Sequence, residues 1–347
     1  MVEAKRTGQV MEQHRTFSFH GVGVAVESAD QALLEAVRHS FSYFATDIQR
    51  PDLHIICRLE KPDYDALPEL TSSVATPRNI SFMGKGLVYI DYFGRALNIY
   101  NAREGSCRVF TEDPHLAREI VYLTILSRVS ERLDRMGIHR VHALGLEQRG
   151  RGVLVMLPSG GGKSTLAISI LQHPDTGIRL IAEDSPLIRR DGWLLPFPIK
   201  IGVHPHNLPE GIDPRYILFE KRMEFEPKVS IDVACFADRL VREPVRPGLI
   251  LLGRRTTGKD ARISPVPRRK VVRHALMNSV VGIGLYQGME FIFQKGFGDV
   301  FSHGAVTFSR AWNNLRLVSN SRVYEFLIGR DVKRNFDTLI DFLERTQ

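Results

Sequence analysis

The stretch that most restricts what this chain can become is VLVMLPSGGGKSTLAISIL, residues 153–171. An apolar run leads into Ser159, Gly160, Gly161, Gly162, Lys163, Ser164 and Thr165, and then Leu166, Ile170 and Leu171 mark one face of a short helix. Strand, glycine loop and helix in that order match the phosphate-binding pattern Gly-x-x-x-x-Gly-Lys-Ser/Thr. In it backbone N–H groups face phosphate oxygens, the lysine reaches the β- and γ-phosphates, and the hydroxyl binds Mg2+. Gly162, Lys163 and Ser164 meet the end of the pattern, while Leu157 stands where its first glycine belongs. The consecutive glycines supply the φ freedom that close backbone approach to phosphate requires. A glycine turn that binds nothing is the competing reading, and the strand-before, helix-after context weighs against it. The expected ligand of Ser159 to Thr165 is therefore a nucleotide.

Which chemistry the nucleotide serves must come from elsewhere in the chain. A transporter-type LSGGQ segment and a GTPase-type NKxD segment are both absent. Glu183 and Asp184 instead stand together at the end of the apolar run IRLIA. Neighbours on a strand point to opposite faces, so both carboxylates reach one site only where the strand ends or bends. Ser185-Pro186 supplies such a bend. One carboxylate can then hold Mg2+ while the other accepts a proton from an attacking hydroxyl, the division of labour in phosphoryl transfer. The alternative is a solvated strand end.

The rest of the chain reads as an α/β protein in several parts. Residues 1–112 alternate strand-like runs (TFSFHGVGVAVE, LHIICRLE, GLVYIDYFG, ALNIYNA) with one helical run, SADQALLEAVRHSFSYF, which reads as a smaller α+β domain. Asp113-Pro114 has the form of a cap and first turn, and opens a connecting helix over 113–137 that ends at Gly137. Residues 138–266 hold the loop and several β-rich runs, and 267–347 read as largely helical, with Asp331 capping the last helix. The net charge of +8 suits phosphorylated ligands and acidic partners. Nucleic acid is not an expected partner, because no basic-aromatic module accompanies that charge. Cys57, Cys107 and Cys235 are too few and too scattered for a disulfide framework or a zinc set. With no signal-like or membrane-spanning run, the expectation is a cytoplasmic protein without a membrane partner.

The segment HALGLEQRGRGVLVMLPSGGGKSTLAISIL, followed by IRLIAEDSPLI, resembles the catalytic domain of HPr kinase/phosphorylase and the bacterial HPr-kinase-related serine kinases, which are akin to phosphoenolpyruvate carboxykinases. The resemblance is clearest over residues 139–190. It implies a P-loop, mixed-sheet kinase core using ATP and Mg2+. It also implies a catalytic set of Lys163, His142 on the strand before the loop, Glu183 as general base, and Asp184 with Ser164 as metal ligands. Two departures stand out: Glu183 replaces an aspartate, and LPFPIKIGV lies where an EVRGLG motif is expected. The N-terminal region shows no such similarity, so HPr itself is not the expected acceptor. The implied activity is transfer of the γ-phosphoryl group to a hydroxyl, foremost a serine of a protein or peptide. A small-molecule hydroxyl kinase and a non-catalytic ATP-binding regulator are the alternatives. Whether copies of the chain associate is left open.

Four further cations are candidate substrate or phosphate contacts. Lys200 ends the apolar LLPFPI and must reach solvent or an anion. Arg222 and Lys228 fall on the alternating charged face of KRMEFEPKVSID, a solvated face or a lid over substrate. Arg254, with Arg255, follows the strand LILLG, where α/β folds place ligand contacts.

Overall fold

His20 and Gly21, with φ of 51° and 92°, turn the stretch expected as one strand into a hairpin. Its arms are β1 (Gln13–Phe19) and β2 (Val22–Ser28), paired antiparallel from Phe19↔Val22 outward. Successive positive φ values fit the right-handed twist of the flanking strands, which is why the chain reverses here rather than running on. The computed structural model describes residues 13–221, 226–276 and 304–346.

The chain divides into two compact units, Met1–Arg38 with Phe44–Ile125, and His39–Tyr43 with Leu126–Gln347. In the first, the hairpin continues through β3 (Leu53–Arg58), β4 (Ser72–Ala75), β5 (Ile80–Gly84), β6 (Leu87–Asp91), β7 (Ala96–Asn101) and β8 (Ser106–Thr111). These form one sheet in the order β1-β2-β3-β8-β7-β6-β5-β4. Helix α1 (Gln31–Phe41) contributes buried Leu33, Leu34 and Val37, and α2 (Pro114–Arg135) contributes Leu116, Ile120 and Val121. Asp113 caps α2 as its sequence suggests, accepting from the backbone N–H of His115 at 2.9 Å and of Leu116 at 3.2 Å. Asn98 Nδ2 donates to Thr124 Oγ1 at 3.0 Å, a buried polar pair fixing α2 against β7.

In the second unit β9 (His139–Arg140), β10 (Leu144–Gln148) and β11 (Arg151–Met156) lead to α3 (Lys163–Leu171) and β12 (Arg179–Ala182). Short strand β13 (Leu187–Ile188) pairs with both β9 and β14 (Leu194–Leu195) in a small three-stranded sheet, and β15 (Ile201–Val203), β16 (Ile217–Glu220) and β17 (Lys228–Ile231) form a second one in the order β15-β17-β16. The main sheet is completed by β18 (Arg246–Arg255), β19 (Arg262–Pro265) and β20 (Arg322–Ile328), in the order β12-β10-β11-β18-β20-β19. It is mixed: β11, β18 and β20 are mutually parallel, while β10 is antiparallel to both β11 and β12.

Both faces of this sheet are covered, so its central strands read as unbroken apolar runs. Along β11 and just beyond, Val153, Val155 and Leu157 face one core with Leu166 and Ile170 of α3, and Leu154 and Met156 face the other. That second core is closed by α4 (Arg268–Leu276) through Val271 and Ala275, and by α5 (Gly304–Ser319) through Leu317 and Val318. The first is closed by Leu339 and Leu343 of α6 (Val332–Arg345), whose cap Asp331 accepts from the Arg334 N–H at 3.1 Å. Truncating one such fully buried side chain, Ile170→Ala for example, costs about 2–5 kcal/mol.

The stretch after residue 267, expected to be largely helical, supplies an interior strand as well: β20 pairs with β18 along Leu249↔Arg322 to Arg255↔Ile328. Its partners are distant in sequence and its flanks are helical, so local periodicity alone masks it. Residues 277–285 of the expected helix lie outside the described residues. Among the described residues, no helix is long and apolar enough to cross a membrane.

Candidate active site

Three strand ends meet at one edge of the main sheet. Because β10 runs antiparallel to both neighbours, β11 and β12 share a direction, and β18 is parallel to β11. The carboxyl ends of β11, β12 and β18 therefore lie together, and the amino end of β10 joins them. They carry the glycine loop, Glu183-Asp184, Arg254-Arg255 and His142, respectively. Ligands of α/β sheets bind at such an edge.

The loop has the backbone that its glycines allow. Gly160 and Gly162 adopt φ of 70° and 100°, and a Cβ at either would meet nothing within 4 Å. Gly161 is excluded from carrying a side chain for a different reason: its Cβ would lie 2.8 Å from the Pro158 carbonyl oxygen. Helix α3 starts immediately afterwards with no side-chain cap, so its first N–H groups are open to an anion. Leu157, the departure from the glycine pattern, is fully buried in the core next to α3. Its side chain occupies the place a Cβ of Gly253 would need, 2.4 Å from Leu157 Cδ2. The glycine missing from the start of the loop thus has a counterpart on the neighbouring strand.

Backbone bonds bring His142 to the carboxylates. Val141 N–H donates to Pro186 O at 2.9 Å and Ala143 N–H to Asp184 O at 3.1 Å, stitching the approach to β10 against the segment that bends at Glu183-Asp184 and runs on through Ser185-Pro186. Gly145 is required there, since a Cβ would stand 2.9 Å from Pro186 Cβ. His142 Nδ1 faces Asp184 Oδ1 at 3.2 Å. Lys163, only 5% exposed, donates to Leu157 O at 2.9 Å, Pro158 O at 3.2 Å and His142 Nε2 at 2.9 Å, and lies 3.2 Å from Asp184 Oδ1. An imidazole nitrogen that accepts from an ammonium carries no proton, so the His142 proton sits on Nδ1, facing Asp184.

The two carboxylates are driven apart electrostatically. Burial, and next the Asp184 charge, push the Glu183 carboxyl up to about 7, against the Ser164 hydrogen bond and the Lys163 and Lys228 charges. Burial also opposes ionisation of Asp184, but His142, Lys163 and Arg140 outweigh it and hold this carboxyl well below the usual range. Adjacent titratable groups with opposite shifts suit one as a proton acceptor and the other as a permanent anion. Ser164 Oγ donates to Glu183 Oε1 at 2.6 Å. These hard oxygens next to the loop fit Mg2+, which binds one or two carboxylates plus substrate phosphates. Among the described residues no cluster of three or more His, Cys, Asp or Glu forms a self-sufficient metal cage.

The remaining candidates divide. Lys228 acts on Glu183 through its charge. Lys200 finds its anion within the protein, as its ammonium pairs with Glu220. Arg254 pairs with Glu325 on β20 at 3.3 Å, whereas Arg255 Nη1 reaches Gly160 O of the loop at 3.4 Å. Of the two arginines, Arg255 is the one on the loop side. Arg222 lies outside the described residues. Arg140 was missed from sequence: it donates to Ser185 Oγ at 2.8 Å, and its charge acts on Asp184. Its position two residues before His142, in the alternation of an extended segment, is the signal by which it could have been found. Searches against family models and against curated proteins find no match for the chain.

Proposed function

We propose that the protein is an ATP-dependent kinase that transfers the γ-phosphoryl group to a hydroxyl, foremost a serine of a protein or peptide, in the manner of the HPr-kinase-like enzymes its loop and carboxylate segments resemble. The observation that carries this reading is Glu183, a carboxyl poised at about 7, hydrogen-bonded to the loop hydroxyl Ser164. Mere nucleotide binding needs no proton acceptor there; transfer to an alcohol does.

Gly160 to Thr165 cradle the phosphates with backbone N–H groups, and Lys163 exchanges its bonds to Leu157 O and Pro158 O for phosphate oxygens. Ser164 and Asp184 would hold Mg2+, which would screen phosphate charge when bound. Glu183 takes the proton of the incoming hydroxyl, and His142 keeps Asp184 oriented. Arg255 braces the loop at Gly160, and Lys228 favours the ionised form of Glu183.

The test is incubation of the purified protein with γ-labelled ATP, Mg2+ and a lysate of the source cell, followed by phosphoamino-acid analysis. Acid-stable phosphoserine is the expected product. Rapid acceptor-independent release of phosphate, or an acid-labile acyl phosphate, overturns the reading.

A further inference from the structure

Away from the loop, α5, the last turn of α2 and the start of β9 build a second constellation. His139, fully buried, places Nδ1 2.7 Å from Asp134 Oδ1 and Nε2 2.8 Å from Ser309 Oγ. A carboxylate only accepts, so the imidazole proton sits on Nδ1 and the Nε2 lone pair faces the serine hydroxyl. Asp134 is fixed in turn by Arg310, whose Nε lies 3.2 Å from Oδ1 and whose Nη2 pairs with Oδ2. Burial opposes the Asp134 charge, but the His139 hydrogen bond and the Arg310 guanidinium prevail and hold its carboxyl below the usual range. Nucleophile, base and orienting acid are each within hydrogen-bond reach of the next, the geometry that activates a serine on unrelated folds.

Ser309 also borders a cavity of about 190 Å3 that Asp134, Gly137, Arg190 and Val306 help to line. Gly137 adopts φ of 76°, the left-handed region that favours glycine, and a Cβ there would stand in ordinary contact with the cavity wall, 3.8 Å from Arg190 Cβ and 4.0 Å from Ser309 Oγ. Asn313, one turn along α5, donates to Gly137 O at 3.0 Å and holds that turn in place.

We propose that Ser309, His139 and Asp134 form an acyl-transfer site that hydrolyses small carboxylic esters, separate from phosphoryl transfer and not dependent on it. Ser309 Oγ adds to the ester carbonyl carbon while its proton moves to His139 Nε2, in the cavity that Arg190 also lines. The ester C–O bond then breaks, and the departing alcohol takes the proton from Nε2. Water adds to the acyl-serine with Nε2 accepting its proton, the acid leaves, and Ser309 Oγ recovers the proton. The net reaction is ester plus water to acid plus alcohol.

The test uses the full-length protein with a fluorophosphonate probe, the adduct being mapped by peptide mass spectrometry, and with 4-nitrophenyl acetate as substrate. Expected are a phosphonyl adduct on Ser309 and ester hydrolysis that falls about a hundredfold or more in Ser309→Ala, whose melting temperature stays close to wild type. Because the adduct is mapped on the unaltered chain, the outcome does not depend on a variant folding. No adduct at Ser309, or equal hydrolysis by Ser309→Ala, overturns the proposal.

Discussion

Ser164 Oγ donates to Glu183 Oε1 at 2.6 Å, so the hydroxyl that opens α3 is tied to the carboxyl that ends β12. The bond joins the two sequence segments on which phosphoryl transfer depends, and it opposes the upward push that burial and Asp184 exert on Glu183. Exchanging either partner therefore changes both the position and the proton affinity of the candidate base.

Lys163→Ala should abolish transfer while leaving the protein folded. Its ammonium bonds to Leu157 O, Pro158 O and His142 Nε2. Loss of such a cation from developing phosphate charge costs about 3 kcal/mol or more of transition-state stabilisation, over a hundredfold in rate. Phosphate transfer and thermal melting, measured side by side, check the pair of outcomes. A wild-type rate in the variant refutes the assignment of the loop.

Substituting the two carboxylates should shift stability in opposite directions. Glu183 binds its proton more tightly folded than unfolded, so its contribution is fully present below the unfolded value of 4.5 and is lost as pH rises through about 7. At pH 8 Glu183→Gln should thus raise stability, by about 1–2 kcal/mol given its partial exposure, and slow transfer about 100-fold or more. Asp184 is the reverse case: its contribution is present above the unfolded value of 3.8 and lost as pH falls through its depressed folded value. Asp184→Asn should lower stability at pH 8 by about 1–3 kcal/mol and weaken Mg2+-dependent nucleotide binding. Melting curves at pH 5 and 8, with calorimetric titration of nucleotide, separate the two. Shifts of the same sign at pH 8 count against the electrostatic account.

Gly253→Ala should destabilise the protein by about 1–3 kcal/mol, because the new methyl would lie 2.4 Å from Leu157 Cδ2 and 3.0 Å from Met156 O. Shortening the neighbour, in Leu157→Ala/Gly253→Ala, should recover part of that loss, a coupling of about 0.5 kcal/mol or more in a double-mutant cycle. Strict additivity in denaturant titrations would show that the two positions do not share the space.

Arg255→Ala should weaken nucleotide binding about two- to fivefold, the effect of losing one exposed charged contact of about 0.5–1 kcal/mol, since Arg255 braces Gly160 O. Arg254→Ala should leave binding unchanged, because that guanidinium is paired with Glu325. Calorimetric titration of both variants checks the contrast, and equal effects would remove the distinction between these neighbours.

What could be read from the chain alone was whatever depends on near neighbours. The strand, loop and helix around Lys163 and the Asp113 and Asp331 caps all rest on a few adjacent residues, and each is present, while the bend expected at Ser185-Pro186 falls just before it, at Glu183-Asp184. Strand β20 escaped because its pairing with β18 spans more than seventy positions between Leu249 and Arg322, and its neighbours along the chain are helical. The difference between Arg254 and Arg255 needs the direction of each side chain at the end of β18, which composition does not carry. Leu157 looked like a defect in the loop pattern until Gly253 supplied the room for it.

The insertion of β10 between β11 and β12 has a consequence in time. His142, the glycine loop and Glu183-Asp184 all fall within residues 142–184, and the strands that hold them pair among themselves. This half of the site can therefore form while the remaining chain is still being synthesised. The other side of β11 waits for Leu249 to Leu252 of β18, leaving an apolar strand edge uncovered in the interval. A chain interrupted before Arg246 would carry His142, the glycine loop, Glu183-Asp184 and Lys228, without Arg255, on a β11 with that side unpaired, a template for self-association and a natural target for chaperones during synthesis.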